Sequence, residues 1–248
     1  MHRFYAPGLV LGSAVELPQH EGHHLARVIR LKVGDAVVVF DGRGREVLAS
    51  VQSIDGDRVV VAASEERTPP PEPAVAIMLA QAMLKSDKMD GVIRDAVMLG
   101  VAAIQPLNTL RTDVPARAAR SAARHDRWSR TAISSAKQAG RAVVPPVLPM
   151  LDFNAFMAAE RDVMCLMFVE PDERRAGGLP LVDLQSLENR VPAKVTAIIG
   201  PEGGWDSREI EAAITAGVWL VTLGNRVLRA DIAGTIALAV LRYVWKDF

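Results

Sequence analysis

The feature that most constrains the fold is a pair of glycine-containing turns, each placed between a short apolar run and a helical pattern. The first turn, at residues 200–205, follows the run at 195–199, and the second, at 224–229, follows the run at 219–223. Strand–turn–helix units of this kind build parallel sheets, which bind ligands at the carboxyl ends of their strands. The sequence therefore predicts a ligand site where two such turns lie side by side.

The glycines of the first turn indicate a close approach of backbone to ligand. Gly200, Gly203 and Gly204 can adopt positive φ and carry no Cβ. Asp206 or Ser207 is suited to cap the helix that follows. A tight turn without a site is the alternative reading, and the second glycine turn favours a site.

The residue types in this turn argue against the common phosphate sites. The segment lacks the Lys-Ser/Thr of a P-loop and the spacing of a dinucleotide fingerprint. Glu202 would also repel a phosphate. A ligand with a flat base and a cationic or zwitterionic end fits better, and S-adenosylmethionine has this character.

The chain is predicted to contain two domains. Residues 1–72 form a β-rich unit in which Asp-Gly pairs separate β-branched runs, a strong hairpin signal. Helical spacing at residues 19–31 places Leu25, Val28 and Ile29 on one face. The prolines at 69–73 mark a stiff linker, and residues 74–248 then alternate strand and helix patterns.

The charge distribution indicates nucleic-acid binding in only one segment of the chain. Lys and Arg total 29, as do Asp and Glu, so the net charge is zero. Between residues 111 and 141, however, bases far outnumber acids, and several arginines recur every three or four positions as one helical stripe. Such a stripe is typical of phosphate contact, with a solvated helix face as the alternative. The basic residues are Arg111, Arg117, Arg120, Arg124, Arg127, Arg130, Lys137 and Arg141, against Asp113 and Asp126.

Metal, disulfide and membrane functions are not expected. Cys165 is the single cysteine, and His23 and His24 have no further ligand at metal spacing. No apolar run reaches the ~20 residues that span a bilayer. We therefore expect a cytoplasmic protein.

Two carboxyl-terminal segments carry a resemblance to a known family. IIGPEGGWDSREIEAA and LGNRVLRADIAGTIAL closely resemble the signature motifs of the 16S ribosomal RNA uracil N3-methyltransferase family, the small-subunit methyltransferase E group of the SPOUT superfamily. HHLARVIRLKVGDAVVVFDGRG is similar to the amino-terminal PUA-like barrel of that family. The resemblance implies an α/β knot, a deep trefoil knot, in the methyltransferase domain.

The resemblance also implies an activity and its partners. The activity is transfer of a methyl group from S-adenosylmethionine to N3 of a uridine in 16S rRNA of the small ribosomal subunit, by a homodimer. Arg229 is the expected catalytic residue, with a salt bridge to Asp231 as its alternative role. The general base is left open between Glu202 and Asp231.

Site residues are carried over position by position. The candidate RNA contacts are Arg30, Arg111, Arg124, Gln138 and Arg141. The expected cofactor-binding residues are Phe168, Val169, Glu170, Ile199, Gly200, Pro201, Glu202, Gly203, Gly204, Leu223, Gly224, Asn225, Val227, Leu228, Arg229 and Ala233.

The chain departs from the family pattern at three positions that are polar or acidic in the family. In this chain they are Met98, Lys137 and Asp231. These changes motivate a rival hypothesis, a non-catalytic RNA-binding or ribosome-assembly protein with the same fold. A nucleotide-dependent enzyme on an ordinary doubly wound sheet is a third hypothesis, and the missing phosphate lysine argues against it.

Overall fold

The computed structural model describes residues 1–85, 87–114, 121–159, 163–171 and 179–248. They group into two compact units, one of Met1–Glu72 with Ile133–Val144 and one of Pro73–Ala132 with Pro145–Phe248. The sequence-based division at residues 72–74 did not foresee that residues 133–144 group with the amino-terminal segment. The division into domains stays a prediction.

The first unit is built on a five-stranded sheet in the order β1-β3-β4-β5-β2. β3, β4 and β5 form the antiparallel meander that the Asp-Gly pairs predict. β1 instead pairs with β3 in parallel. The strands are β1 (Arg3–Tyr5), β2 (Ala14–Glu16), β3 (Ala36–Phe40), β4 (Glu46–Asp55) and β5 (Arg58–Arg67).

A short helix before β3 shows where helical spacing misleads. α1 (Gln19–His23) continues as a π-helical segment, His24–Ile29. Leu25 is buried in the core of the unit, whereas Val28 is 61% exposed. The prediction that Leu25, Val28 and Ile29 share one face is wrong for Val28, because a π-helix is wider than the α-helix assumed and rotates later side chains off the predicted face.

The second unit contains, among the described residues, a six-stranded sheet in the order β11-β9-β10-β6-β7-β8, with all strands parallel. The strands are β6 (Ala76–Ala82), β7 (Ala103–Asn108), β8 (Leu151–Asp152), β9 (Met164–Phe168), β10 (Lys194–Ile199) and β11 (Trp219–Val221). The helices that follow α1 along the chain are α2 (Lys88–Met98), α3 (Ala122–Ala139), α4 (Phe153–Ala158), α5 (Ser207–Thr215) and α6 (Ala230–Val244).

The order of the strands positions the site. β9 lies between β11 and β10, and Phe168 at its end is in register with both Ile199 and Val221. Because the strands are parallel, their carboxyl ends meet at one edge of the sheet. The predicted neighbourhood of the two glycine turns is therefore confirmed, with the end of β9 between them.

Helix α2 agrees with the sequence pattern. Helical spacing over residues 86–99, closed by Gly100, predicts a helix with five apolar residues facing inward. All five are buried, namely Met89, Val92, Ile93, Ala96 and Val97. Gly100 follows with φ +76° and ends the helix as a C′ glycine.

Helical spacing over residues 231–245 predicts an apolar helix with Ile232, Ile236, Ala239, Val240 and Tyr243 on one face. Helix α6 is apolar on more than one side, and the face it buries is a different one. The buried residues include Ala237, Leu238 and Leu241, whereas Ile232 is 45% and Tyr243 is 77% exposed. A helix that is apolar all round does not reveal by spacing alone which side meets the sheet.

Candidate cofactor site

The turn after β10 requires glycine for two different reasons. Gly204 has φ +68°, a left-handed conformation that glycine adopts without strain, and its N–H donates to the carbonyl of Pro201 at 3.0 Å. Gly200 and Gly203 have no positive φ. A Cβ on Gly200 would lie 3.0 Å from the ring of Trp205, and a Cβ on Gly203 would lie 3.0 Å from Cβ of Arg111.

Trp205 connects this turn to the end of β9. Its indole Nε1 donates a hydrogen bond of 2.8 Å to the carbonyl oxygen of Phe168. The ring is 6% exposed and packs on Phe153 with centroids 5.4 Å apart. The bond therefore joins the two strand ends that border the site.

Helix α5 begins with the predicted cap. The Asp206 side chain accepts from the Arg208 backbone N–H, and Glu209 closes the capping box from the other side. Hydrogen bonds from the Arg208 side chain and backbone lower the pKa of Asp206. The buried Glu209 also accepts from the backbone of Leu110, at 2.9 Å, and so fixes the loop after β7 to α5.

A cavity of about 490 Å³, including space open to solvent, lies at the ends of β9, β10 and β11. The Glu170 carboxylate is exposed at its edge. The lining residues are Phe168, Val169, Glu170, Pro171, Ile199, Gly200, Pro201, Gly204, Trp205, Thr222, Leu223, Arg226, Leu228, Ala230 and Ala233.

Most of the predicted cofactor-binding residues thus lie together, and some do not line the cavity. Those outside its lining are Glu202, Gly203, Gly224, Asn225, Val227 and Arg229. The lining also includes Arg226, which lies within the second predicted turn, and residues that sequence reasoning missed, namely Pro171, Trp205, Thr222 and Ala230. Each is adjacent in sequence to a predicted residue, so widening the predicted segments by one or two positions would have found them.

Glu202 does not line the cavity and is paired with a lysine. Its carboxylate accepts from Nζ of Lys88 at 2.6 Å and from the backbone N–H of Lys85 at 3.4 Å. The side chain is 28% exposed. These bonds fix the turn to the segment after β6 and partly neutralise the negative charge.

Arg229, the predicted catalytic residue, makes the salt bridge that the sequence analysis considered as its alternative role. Its Nε and Nη2 donate to the two carboxylate oxygens of Asp231 at 3.0 and 2.7 Å. The guanidinium is 72% exposed, and the residue occupies the N-cap position of α6. An exposed pair of this kind is weakly held, so the guanidinium can exchange Asp231 for another anion.

The candidate RNA contacts differ in their surroundings. In the first unit Arg30 and Gln138 are exposed, but Arg141 is buried and its guanidinium binds the carboxylate of Glu72. The position of Arg141 therefore does not support its prediction as an RNA contact, because the side chain is buried and its guanidinium already donates to Glu72.

In the second unit, Arg111 is half exposed and donates to the carbonyl of Gly203 at 3.3 Å. Arg124 is partly exposed on α3. Arg127 of the predicted stripe binds Asp90. Arg117 and Arg120 lie outside the described residues.

Within the described ranges, no group of three or more His, Cys, Asp or Glu residues could hold a metal ion. None of the helices in these ranges combines the length and apolar character needed to cross a bilayer.

Comparison with known families defines the class of the protein. Residues 70–242 match the model of the RNA methyltransferase domain, and residues 17–63 match that of the RNA methyltransferase PUA domain. With the parallel sheet and the cavity at its carboxyl edge, these matches define an RNA methyltransferase with an α/β fold and a PUA domain.

Individual relatives narrow the class to one family. The chain is 33% identical over 237 residues to ribosomal RNA small subunit methyltransferase E of Synechocystis, covering 94% of this chain and 74% of the relative. It belongs to the ribosomal RNA small subunit methyltransferase E family. The predicted resemblance and enzyme class are therefore confirmed.

Solved structures agree with this membership. A ribosomal RNA small subunit methyltransferase E from Neisseria gonorrhoeae bound to S-adenosyl methionine is 32% identical, with a TM-score of 0.84 over 99% of this chain and 98% of that one. A methyltransferase from Legionella pneumophila in complex with the same cofactor is 28% identical, with a TM-score of 0.83 over 97% and 96%. The cofactor prediction is confirmed at the level of the family.

Proposed function

We propose that the protein transfers a methyl group from S-adenosylmethionine to N3 of a uridine in 16S rRNA of the small ribosomal subunit. The observation that carries this proposal is the cavity formed by three adjacent strand ends, with backbone turns as its walls. Family membership supports the reaction class and the rRNA substrate.

The composition of the cavity suits the proposed cofactor. Ile199, Leu223 and Leu228 supply apolar surface for a flat base, while turn backbone offers N–H and C=O groups to its edges. Glu170 supplies an exposed carboxylate beside the cavity for a cationic end. Among the predicted cofactor-binding residues outside the lining, Gly203, Gly224, Asn225 and Val227 stay part of the proposal as supports of the turns.

The chemistry requires charge stabilisation on the uracil ring. S-adenosylmethionine, when bound, supplies a methyl group on a sulfonium sulfur. N3 carries a proton and lies on the Watson–Crick edge, so the uridine must be unpaired. As the N3 proton passes to a base, negative charge grows on the uracil oxygens, and the guanidinium of Arg229 is suited to stabilise it. N3 would then bond to the methyl carbon as the carbon–sulfur bond breaks and its electron pair stays on sulfur.

Asp231 is the better of the two candidate bases. Neither carboxylate lines the cavity, and each follows a residue that does, Pro201 for Glu202 and Ala230 for Asp231. They differ in their partners: Glu202 is bound to Lys88, which is 33% exposed, whereas Asp231 is bound to the 72% exposed guanidinium of Arg229, a pair that is more weakly held. We therefore assign Arg229 and Asp231 as the pair that faces the uridine.

The proposal includes the finer predictions on architecture and partners. After β11 at the sheet edge, the chain returns so that α6 packs on β6, β10 and α2, a path suited to the α/β knot. Ile232 and Tyr243 leave apolar surface on α6 for a homodimer. Arg30 and Gln138 of the first unit and Arg111 and Arg124 of the second are the proposed RNA contacts, and assembly on ribosomes implies a cytoplasmic protein.

One experiment tests the function. Purified protein is titrated with S-adenosylmethionine by calorimetry and then assayed for radiolabelled methyl transfer to small subunits that lack the N3 mark. We expect binding and transfer in the wild type, and for Arg229→Ala retained binding with transfer reduced at least about a hundredfold, typical for loss of a transition-state donor. Absence of cofactor binding by the wild type would refute the proposal, and equal activity in Arg229→Ala would remove that residue from its role.

A further inference from the structure

The wall of the cavity contains a side chain whose contacts face the protein rather than a ligand. Trp205 reaches from the turn after β10 to the end of β9 and donates its indole N–H to the Phe168 carbonyl at 2.8 Å. The ring is 6% exposed. Phe168, Gly200 and Trp205 all line the cavity, so this contact lies inside its wall.

The same ring also determines which residue can precede it in the turn. A Cβ on Gly200 would lie 3.0 Å from Nε1 and Cε2 of Trp205. Phe153 packs on Trp205 with centroids 5.4 Å apart, so the ring has little freedom to move away. Trp205 therefore leaves room only for glycine at position 200, whether or not a ligand also requires it.

We infer that Trp205 is a positioning residue for cofactor binding. Its hydrogen bond holds the end of β9 and its ring holds the Gly200 backbone, which fixes the separation between the turns that the cofactor must bridge. The inference rests on the proposed function and deepens it. A bound ligand gains affinity when its site is already in the binding geometry.

The chain offers a closely matched control. Trp245 is also 6% exposed and also donates Nε1 to a backbone carbonyl, that of Leu187 at 3.1 Å. It does not line the cavity. Replacement of either tryptophan by phenylalanine removes one buried indole N–H bond, but only one of the two bonds borders the cofactor.

The first test compares Trp205→Phe with Trp245→Phe. We expect the KM for S-adenosylmethionine and its calorimetric dissociation constant to rise about fivefold in Trp205→Phe, as for the loss of one hydrogen bond, with kcat nearly unchanged. In Trp245→Phe both constants stay at the wild-type value while thermal stability falls comparably. Equal changes of KM in the two variants, or a change in neither, would overturn the inference.

A double-mutant cycle tests the contact with Gly200. Gly200→Ala is made in the wild type and in Trp205→Leu, where the smaller side chain leaves room for the methyl group. We expect Gly200→Ala to weaken cofactor binding in both backgrounds, by a factor that is at least about five times larger in the wild type than in Trp205→Leu. The effects of substitutions at residues in contact are not additive. Additive effects would overturn the inference.

The two proposals can fail separately. A wild type that binds no S-adenosylmethionine refutes the proposed function. The double-mutant cycle is then measured from the unfolding midpoints of the same four proteins, a measurement that needs no ligand. Additive shifts of these midpoints would refute the role of Trp205 in holding the turn.

Discussion

Lys137 and Glu21 form a buried ion pair within the first unit. Nζ of Lys137 lies 2.7 and 3.0 Å from the two carboxylate oxygens, and the side chains are 18% and 4% exposed. The same Nζ lies 5.3 Å from the ring centroid of Phe4. Lys137 is one of the departures from the family pattern, and the structure gives it a role in the packing of this unit.

Replacement of Lys137 by methionine should strongly destabilise the protein. The change leaves the Glu21 carboxylate buried without its cation, a loss of ~3 kcal/mol in the free energy of unfolding. Denaturant unfolding followed by circular dichroism measures it. Adding Glu21→Gln should recover part of the loss. Arg58→Met, which breaks the exposed pair with Glu16, is the control and should change little.

Arg242 supports a second prediction about stability. Its guanidinium is 1% exposed and donates to the carbonyls of Val75 and Gly100 at 2.7 Å and to Asp247 at 2.5 Å. Arg242→Met removes these bonds and leaves buried acceptors unpaired, so we expect a loss of ~3 kcal/mol or more. Thermal unfolding measures the change. A midpoint within about a degree of the wild type would contradict the prediction, given the size of shift that such a loss produces.

The cap of α5 gives stability a dependence on pH. Bonds from Arg208 lower the pKa of Asp206 in the folded protein below its ordinary value of 3.8. The unfolded state therefore binds the proton first as pH falls, so this contribution is complete above the ordinary pKa and is lost as pH falls through the folded pKa.

Asp206→Asn tests this linkage, because the amide oxygen still caps the helix but does not titrate. The difference in urea midpoint between wild type and variant should narrow as pH falls from about 5 to about 3. A difference that is constant over this range would show that Asp206 is not linked to folding.

Glu202 and Glu170 should differ in their effect on the cofactor. Glu202 is turned to Lys88, whereas Glu170 lines the cavity. We expect Glu202→Gln to leave both the affinity for S-adenosylmethionine and the pH profile of kcat unchanged. Glu170→Gln should weaken binding about fivefold or more, the usual effect of losing a charged hydrogen-bonding partner. Calorimetry and pH–rate measurements check the pair, and a lost acidic limb in Glu202→Gln would restore it as the general base.

Most strands and helices could be predicted because the patterns that indicate them lie within a few neighbouring residues. β3 and β10 follow from short β-branched runs, and α2 from apolar spacing closed by Gly100. The short strands β1 and β2 were missed, since three residues carry too little periodicity to detect. The parallel pairing of β1 with β3 depends on long-range contacts that no local pattern encodes.

The site was predicted in outline by its glycines and less well in its side-chain contacts. The motifs located both turns, but of the three glycines in the first turn only Gly204 has the positive φ that was one of the two expected reasons for glycine. Position 200 requires glycine because a Cβ there would contact Trp205, further along the same turn. Position 203 requires glycine because a Cβ there would contact Arg111, which follows another strand. Contacts of this kind depend on tertiary packing, as does the use of Arg141 to bind Glu72.

The carboxylate of Asp247 has a consequence for engineering. It accepts from the backbone N–H groups of Ala74 and Val75 at 2.7 and 2.9 Å, so the two extremities of the second unit are adjacent. A fusion or truncation at this end of the second unit should therefore keep Asp247, because without it two backbone N–H groups ahead of β6 lose their acceptor.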